Sequence, residues 1–177
     1  MKKYLTLALA LCLSLTLAAC GGGSSSAPAD TGSTGPEAVD STTLPDTRTM
    51  AQAFLDGGVF SETLEELDLD VAYRLYTLED YGVAREDLVA GTVYCSAGST
   101  AEEVAVLTLT GTDAAQTALQ ALKDHIEVQK ESYADYLPDE IPKLDEASVT
   151  IYGDTLILVI PADADKAAAV VADLARS

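Results

Sequence analysis

His125 is the sole histidine of this 177-residue chain, and Cys95 is the sole cysteine beyond residue 20, so the side chains for nucleophilic or metal chemistry are few. Paired, the two would make a thiolate nucleophile and its base. Cys95, however, shares with Val93 the inward parity of a strand, where a small apolar residue belongs, and His125 lies beside the Leu122–Ile126 stripe of a helix as a boundary or surface side chain. One histidine and one thiol cannot close a structural zinc site, which takes four such ligands. Ser96 and Ser99 sit in CSAGST, which is neither G-x-S-x-G nor S-x-x-K and leads to a turn and a strand rather than a helix. The D-x-D pairs Asp68/Asp70 and Asp163/Asp165 each stand where a helix begins, so they read as caps. Calcium would need more oxygen ligands at closer spacing. GGGSSS is followed by neither lysine nor helix and is no phosphate loop. Glu102-Glu103 could supply half of a carboxylate pair, completed by an acid of the Asp139–Glu140 loop. No catalytic residue, metal site or cofactor is therefore assigned.

One recognition patch is expected at Tyr133, Tyr136, Pro138 and Pro142, because tyrosine and proline make adaptable surfaces at low entropic cost. The competing role for the same residues is to close one end of the core and shape the exit of the chain. The absence of tryptophan disfavours a platform for stacking sugars.

The start of the chain is more informative. Lys2 and Lys3 precede an apolar run from Tyr4 to Leu17, the charged head and apolar middle of a secretory signal, too short for a spanning helix. The run ends in Leu17-Ala18-Ala19-Cys20, which resembles the lipobox of bacterial lipoproteins. That resemblance implies a signal peptide over 1–19, a diacylglyceryl anchor on Cys20, and an extracytoplasmic position at the cell membrane. Residues 20–43 are dominated by Gly, Ser, Thr, Pro and Ala and read as a disordered tether. Such a linker has a root-mean-square span of roughly 25 Å. The remainder, 44–177, is long enough for one folded domain with its own core.

The whole chain holds 10 basic and 29 acidic residues; losing Lys2 and Lys3 with the signal leaves 8 against 29, a net charge of −21. Nucleic acid is excluded as a partner, since phosphate binding needs the opposite sign. The charge serves solubility or steers a basic partner or cations. Cys12 leaves with the signal and Cys20 is acylated, so no disulfide can form within the domain and packing must supply its stability.

Periodicity then lays out the domain. A short helix capped by Thr47 carries Met50, Ala51, Phe54 and Leu55; a second runs from Asp68 or Asp70 to Tyr76. Strand alternation starts at Val89 and continues through Gly91, Val93 and Cys95; a second strand, Glu103–Thr110, is apolar enough on both faces to be central. Thr112 or Asp113 caps a long helix that stops near Tyr136, because Pro138 disfavours helical geometry before it. Residues 138–144 are expected to cross as an extended loop. Strands Ala147–Tyr152 and Thr155–Ile160 flank Gly153-Asp154, a two-residue hairpin signal. A last helix buries Ala167, Val170, Val171 and Leu174. Shifting the chain by 52 positions superposes Val104, Val106 and Leu122 on Leu156, Leu158 and Leu174, a weak internal repeat. The expected fold is α+β: strand-strand-helix twice, giving a four-stranded, mainly antiparallel sheet with two helices on one face. The short N-terminal helices would cover an edge or the other face.

Taken together, the lipobox, the tether, LEELDLDVAYRLYTL, VYCSAGSTAEEVAVL, IEVQKESYADYLPDEIPKL and VTIYGDTLILVI resemble bacterial lipoproteins bearing domain of unknown function 4358, found mainly in Gram-positive Firmicutes. The resemblance covers roughly 64–174 and is most specific at Ala101-Glu102-Glu103 and at Gln129–Tyr133 with Tyr136 and Pro138. The family has no established activity, so the resemblance transfers no catalytic residue. The functional expectation is a non-catalytic, membrane-anchored binding or assembly module of the cell envelope, with an envelope protein or small ligand as partner. A carboxylate-dependent envelope hydrolase or transferase, and a small-molecule or cation sensor, are the alternatives.

Overall fold

The computed structural model describes residues 44–98 and 100–176; the expected signal peptide (1–19), Cys20, the expected tether (20–43) and Ser99 lie outside them. Asp46, one residue before the expected Thr47, caps α1 (Thr47–Asp56) by accepting from the Thr49 amide at 3.0 Å. β1 (Glu65–Leu67) follows, then α2 (Leu69–Leu75), capped by Asp68. Two 3-10 turns, Leu78–Tyr81 and Arg85–Asp87, lead to β2 (Leu88–Cys95) and β3 (Glu103–Leu109). α3 (Thr112–Tyr136), a 3-10 turn at Pro138–Glu140 and α4 (Ile141–Asp145) precede the hairpin β4 (Ser148–Tyr152) and β5 (Thr155–Ile160). α5 (Ala164–Leu174), capped by Asp163, closes the domain.

The sheet has five strands rather than four, in the order β1-β2-β3-β5-β4, every neighbouring pair antiparallel. The strand missed from sequence is β1. Its three residues, Glu-Glu-Leu, are too few to show a period of two, and pairing of Glu65 with Cys95 and Leu67 with Val93 creates it.

Helices lie on both faces, so the expected pair on one face is corrected to a three-layer arrangement. On one side Leu107, Leu109, Leu156, Leu158 and Ile160 pack under α3 and α2; on the other Val104, Val106, Ile157 and Val159 pack under α1 and α5. The reason is visible in β5, whose residues Thr155–Ile160 are all buried: a strand apolar at every position must be covered twice. The arrangement also dissolves the internal repeat. Val104 and Val106 face α1 and α5, whereas their shifted counterparts Leu156 and Leu158 face α3. Antiparallel β3 and β5 related by a two-fold axis normal to the sheet would place both helices on one face, and α3 and α5 sit on opposite ones.

Three further local expectations are revised. Val89 does not point inward: a register shift between Leu88 and Ala90 gives the inward place to Leu88 and leaves Val89 62% exposed. α3 begins after Gly111 without a side-chain cap from Thr112 or Asp113. Residues 138–145 are helical rather than extended, since Pro138 and Pro142 occupy first-turn positions, where a missing N–H costs nothing. α3 does stop at Tyr136, and the Gly153-Asp154 turn joins β4 to β5. Within β2, Gly91 is where backbone meets side chains: a Cβ there would stand 2.5 Å from Leu69 Cδ1 and 3.0 Å from Leu107 Cδ2. No helix among the described residues is long and apolar enough to cross a membrane.

Candidate functional site

Ala101-Glu102-Glu103 leads into the most buried strand but one, and alternation sends its two acids to opposite sides of the sheet. Both are almost fully buried, at 1% and 2% exposure, so each must be neutralised or hydrogen-bonded.

Glu103 turns toward α3. Its Oε1 accepts from the Tyr76 hydroxyl at 2.5 Å; its Oε2 lies 3.2 Å from His125 Nε2 and 3.3 Å from Gln129 Nε2. Gln129 Nε2 is 2.7 Å from His125 Nε2, and the Tyr76 ring meets the imidazole edge-on at 5.0 Å. His125 and Gln129 are one helical turn apart on α3, which aims both at the same carboxylate. Burial, then the Glu103 charge and its hydrogen bond, hold the Tyr76 phenol well above its ordinary pKa, so it stays a donor. His125 is therefore a buried partner of Glu103, not a boundary residue. Cys95 pairs across β2–β3 with Glu103, and burial followed by the charges of Glu103 and Glu65 pushes its thiol up. A thiol held protonated is no thiolate nucleophile. The Gln129 Oε1 atom is buried without a hydrogen-bond partner.

Tyr76→Phe removes a hydrogen bond to a buried carboxylate, an interaction worth about 1.5–3 kcal/mol. We expect a loss of about 2 kcal/mol in urea unfolding with an unchanged m-value. A loss within error would mean that Glu103 is held by His125 and Gln129 alone.

Glu102 turns the other way. Its Oε2 accepts from the Ser61 amide at 2.8 Å, and its Oε1 accepts from the Ser61 hydroxyl and from Lys143 Nζ, the latter at 2.8 Å. The same Nζ lies 3.0 Å from Glu140 Oε2, which also accepts from the Ala101 amide at 2.9 Å. Burial pushes Glu102 up, but Lys143 and Ser61 together outweigh it and leave its carboxyl below the ordinary range. Burial depresses Lys143 less than Glu102 and Glu140 raise it. Glu140 of the 138–140 turn is thus brought beside Glu102, as the carboxylate alternative required, but with a cation between them; Asp139 stays exposed.

The tyrosine–proline patch is contiguous with this cluster through Glu140. Tyr133 and Tyr136 meet edge-to-face with centroids 5.2 Å apart; Tyr133 is half-buried and Tyr136 is 60% exposed. Burial and then the neighbouring Tyr136 raise the Tyr133 phenol. Pro138 and Pro142 are exposed on the turn and on α4. Tyr133, Gln129, Cys95, Ser96 and the two glutamates line a cavity of about 170 Å³, below the roughly 300–1,000 Å³ of small-molecule sites. Ser96 is occupied in shaping its turn, accepting from the Gly98 and Thr100 amides. A larger concavity of about 700 Å³ opens between Leu44–Thr47, the β4–β5 turn and the end of α5, and shares no residue with the glutamate cluster. Asp68 and Asp163 cap their helices, and Asp70 pairs with Arg85. Among the described residues no three His, Cys, Asp or Glu side chains converge as ligands for a metal ion.

What sequence reading missed is the pairing of the acids. Glu102-Glu103 drew attention as a doublet, but Lys143, Ser61 and Tyr76 carry no local mark; only the i, i+4 spacing of His125 and Gln129 hinted at a shared target.

Residues 77–161 match the family model described as domain of unknown function DUF4358. The match holds both glutamates, His125, Gln129, Tyr133, Glu140 and Lys143, while Tyr76, Ser61, α1, β1 and α5 lie outside it. No curated protein and no solved structure matches the chain.

Proposed function

We propose that this chain is a membrane-anchored extracytoplasmic lipoprotein whose domain is a non-catalytic binding or assembly module. The observation that carries the module reading is the commitment of both buried carboxylates. Glu103 is bound by Tyr76, His125 and Gln129, and Glu102 by Lys143 and Ser61. A general acid needs a carboxyl held above its ordinary pKa and reachable by substrate. Glu102 is held below it and is closed off from solvent, which weighs against the carboxylate hydrolase. The exposed Tyr136, Pro138 and Pro142 offer a surface beside a rigid, ion-paired support. The anchor rests on Leu17-Ala18-Ala19-Cys20 after an apolar leader.

Cys20→Ser is expected to abolish incorporation of an alkyne-tagged fatty acid and to move the protein from the membrane pellet to the soluble fraction. Persisting label on that variant removes the anchor. For the module, a photo-crosslinking residue at Tyr136 or Pro138 in whole cells should give one discrete adduct, and no adduct at either position counts against it.

A further inference from the structure

The two edges of the sheet are finished differently. β1 is three residues long, and its Glu66 is clamped by Arg48, which also reaches the Tyr94 hydroxyl. Short length and charge are the usual protections of a sheet edge. β4 lacks both. Its five residues, Ser-Val-Thr-Ile-Tyr, contain no charge and no proline and keep regular register with β5 from Ser148↔Val159 to Tyr152↔Thr155. Its outer side pairs with no strand among the described residues.

Beside that edge runs a groove of about 440 Å³. Ser148, Thr150 and Tyr152, the alternate residues on one face of β4, form one wall; Ala168, Val171 and Ala172 of α5 form the other. The alanines leave the space open, since a helix of larger side chains would cover the strand. An added strand would continue the sheet over this groove, with every second side chain entering it.

Charge selects the occupant. Exposed Glu146 stands at one end of β4 and exposed Asp154 at the other, and no basic residue lines the groove. Antiparallel pairing with a second copy about Thr150 would set Glu146 against the partner's Asp154 at both ends, between chains that each carry a net charge of −19 before processing. Like charges directly opposite are destabilising. The same two acids suit a strand flanked by basic residues.

We propose that the outer edge of β4 accepts an extended, basic segment of a partner protein as a sixth strand. The segment pairs with Ser148–Tyr152, its flanking cations meet Glu146 and Asp154, and its alternate side chains fill the groove against α5. This rests on the binding-module reading but uses a surface apart from the tyrosine–proline patch.

The test is fluorescence anisotropy of the purified full chain with a labelled heptapeptide, an alternating valine–threonine core between two lysines. Saturable binding is expected, weakened at least tenfold by flanking glutamates in the peptide, by N-methylation of its core amides, or by E146K/D154K in the protein. Hydrogen exchange should slow within Ser148–Tyr152 when the lysine peptide is added. Equal binding of the glutamate-flanked or N-methylated peptide overturns the proposal, as does absent binding or unchanged exchange in β4. A dimer in sedimentation that already protects β4 without peptide overturns it in favour of a second copy. Discrete crosslinks from Tyr136 alongside a failed peptide experiment would leave the module reading standing and remove this edge from it.

Discussion

Phe54→Ala is expected to destabilise the domain by about 3–5 kcal/mol, the range for truncating a buried aromatic. Phe54 is fully buried at the centre of the layer that α1 adds to the sheet, among Met50, Val104, Val106 and Ile157. The cavity would lie between α1 and the paired strands β2 and β3, whose backbones cannot move in to fill it. α1 would keep its Asp46 cap but lose its largest contact. Urea unfolding should show a lower midpoint at constant m-value. Phe54→Leu, which keeps most of the volume, should lose much less. A cost below about 1 kcal/mol for the alanine variant would mean that α1 is not part of the cooperative core.

Lys143→Ala should cost about 3 kcal/mol, because removing one partner of a buried pair leaves the other charge uncompensated. Glu102 would keep its two bonds from Ser61 but lose the only cation paired with it among the described residues, with Glu140 still nearby. The pH dependence separates this from a packing defect. In the native protein Glu102 lies below its ordinary value of 4.5, so its contribution is present above that pH and is lost as pH falls through the folded value. Lys143 lies above its ordinary 10.5, so its contribution is present below that pH and is lost as pH rises through the folded value. In the variant the Ser61 bonds still lower Glu102, but the lysine no longer helps them offset burial, so its ionisation supports folding less. The difference between the two proteins should therefore widen from acid to neutral pH. Adding Glu102→Gln to the Lys143→Ala variant should recover part of the loss, and a double-mutant cycle measures the coupling. A pH-independent difference would assign the effect to lost packing by the lysine stem.

The reach of sequence reading can be judged from these residues. Glu102, Glu103, Tyr133 and Tyr136 stood out by type and spacing, and the structure gathers them around one small cavity and the turn beside it, apart from the outward-facing Tyr136. Lys143 did not stand out, since a single lysine in PDEIPKL has no local signature, yet it decides what Glu102 can do. His125 sat one position off the apolar stripe and read as a boundary residue; burial follows only because Glu103 and Tyr76 meet it from other elements. Cys95 has the inward parity read for it, but it is only partly buried and lies opposite a carboxylate rather than within an apolar core.

By itself the sequence determined what is local: the span of α3 and its stop before Pro138, the β4–β5 hairpin at Gly153-Asp154, a capping aspartate within each of the pairs Asp68/Asp70 and Asp163/Asp165, and the burial of β3. Period, caps and proline act within a few residues, so a short window contains their cause. Tertiary structure alone decided that α3 and α5 cover opposite faces, that Glu65–Leu67 becomes a strand, and that Glu102 meets Lys143 across 41 residues. Those outcomes depend on where distant segments come to rest once two apolar faces must both be covered and two buried charges answered, and no window of neighbouring residues holds that information.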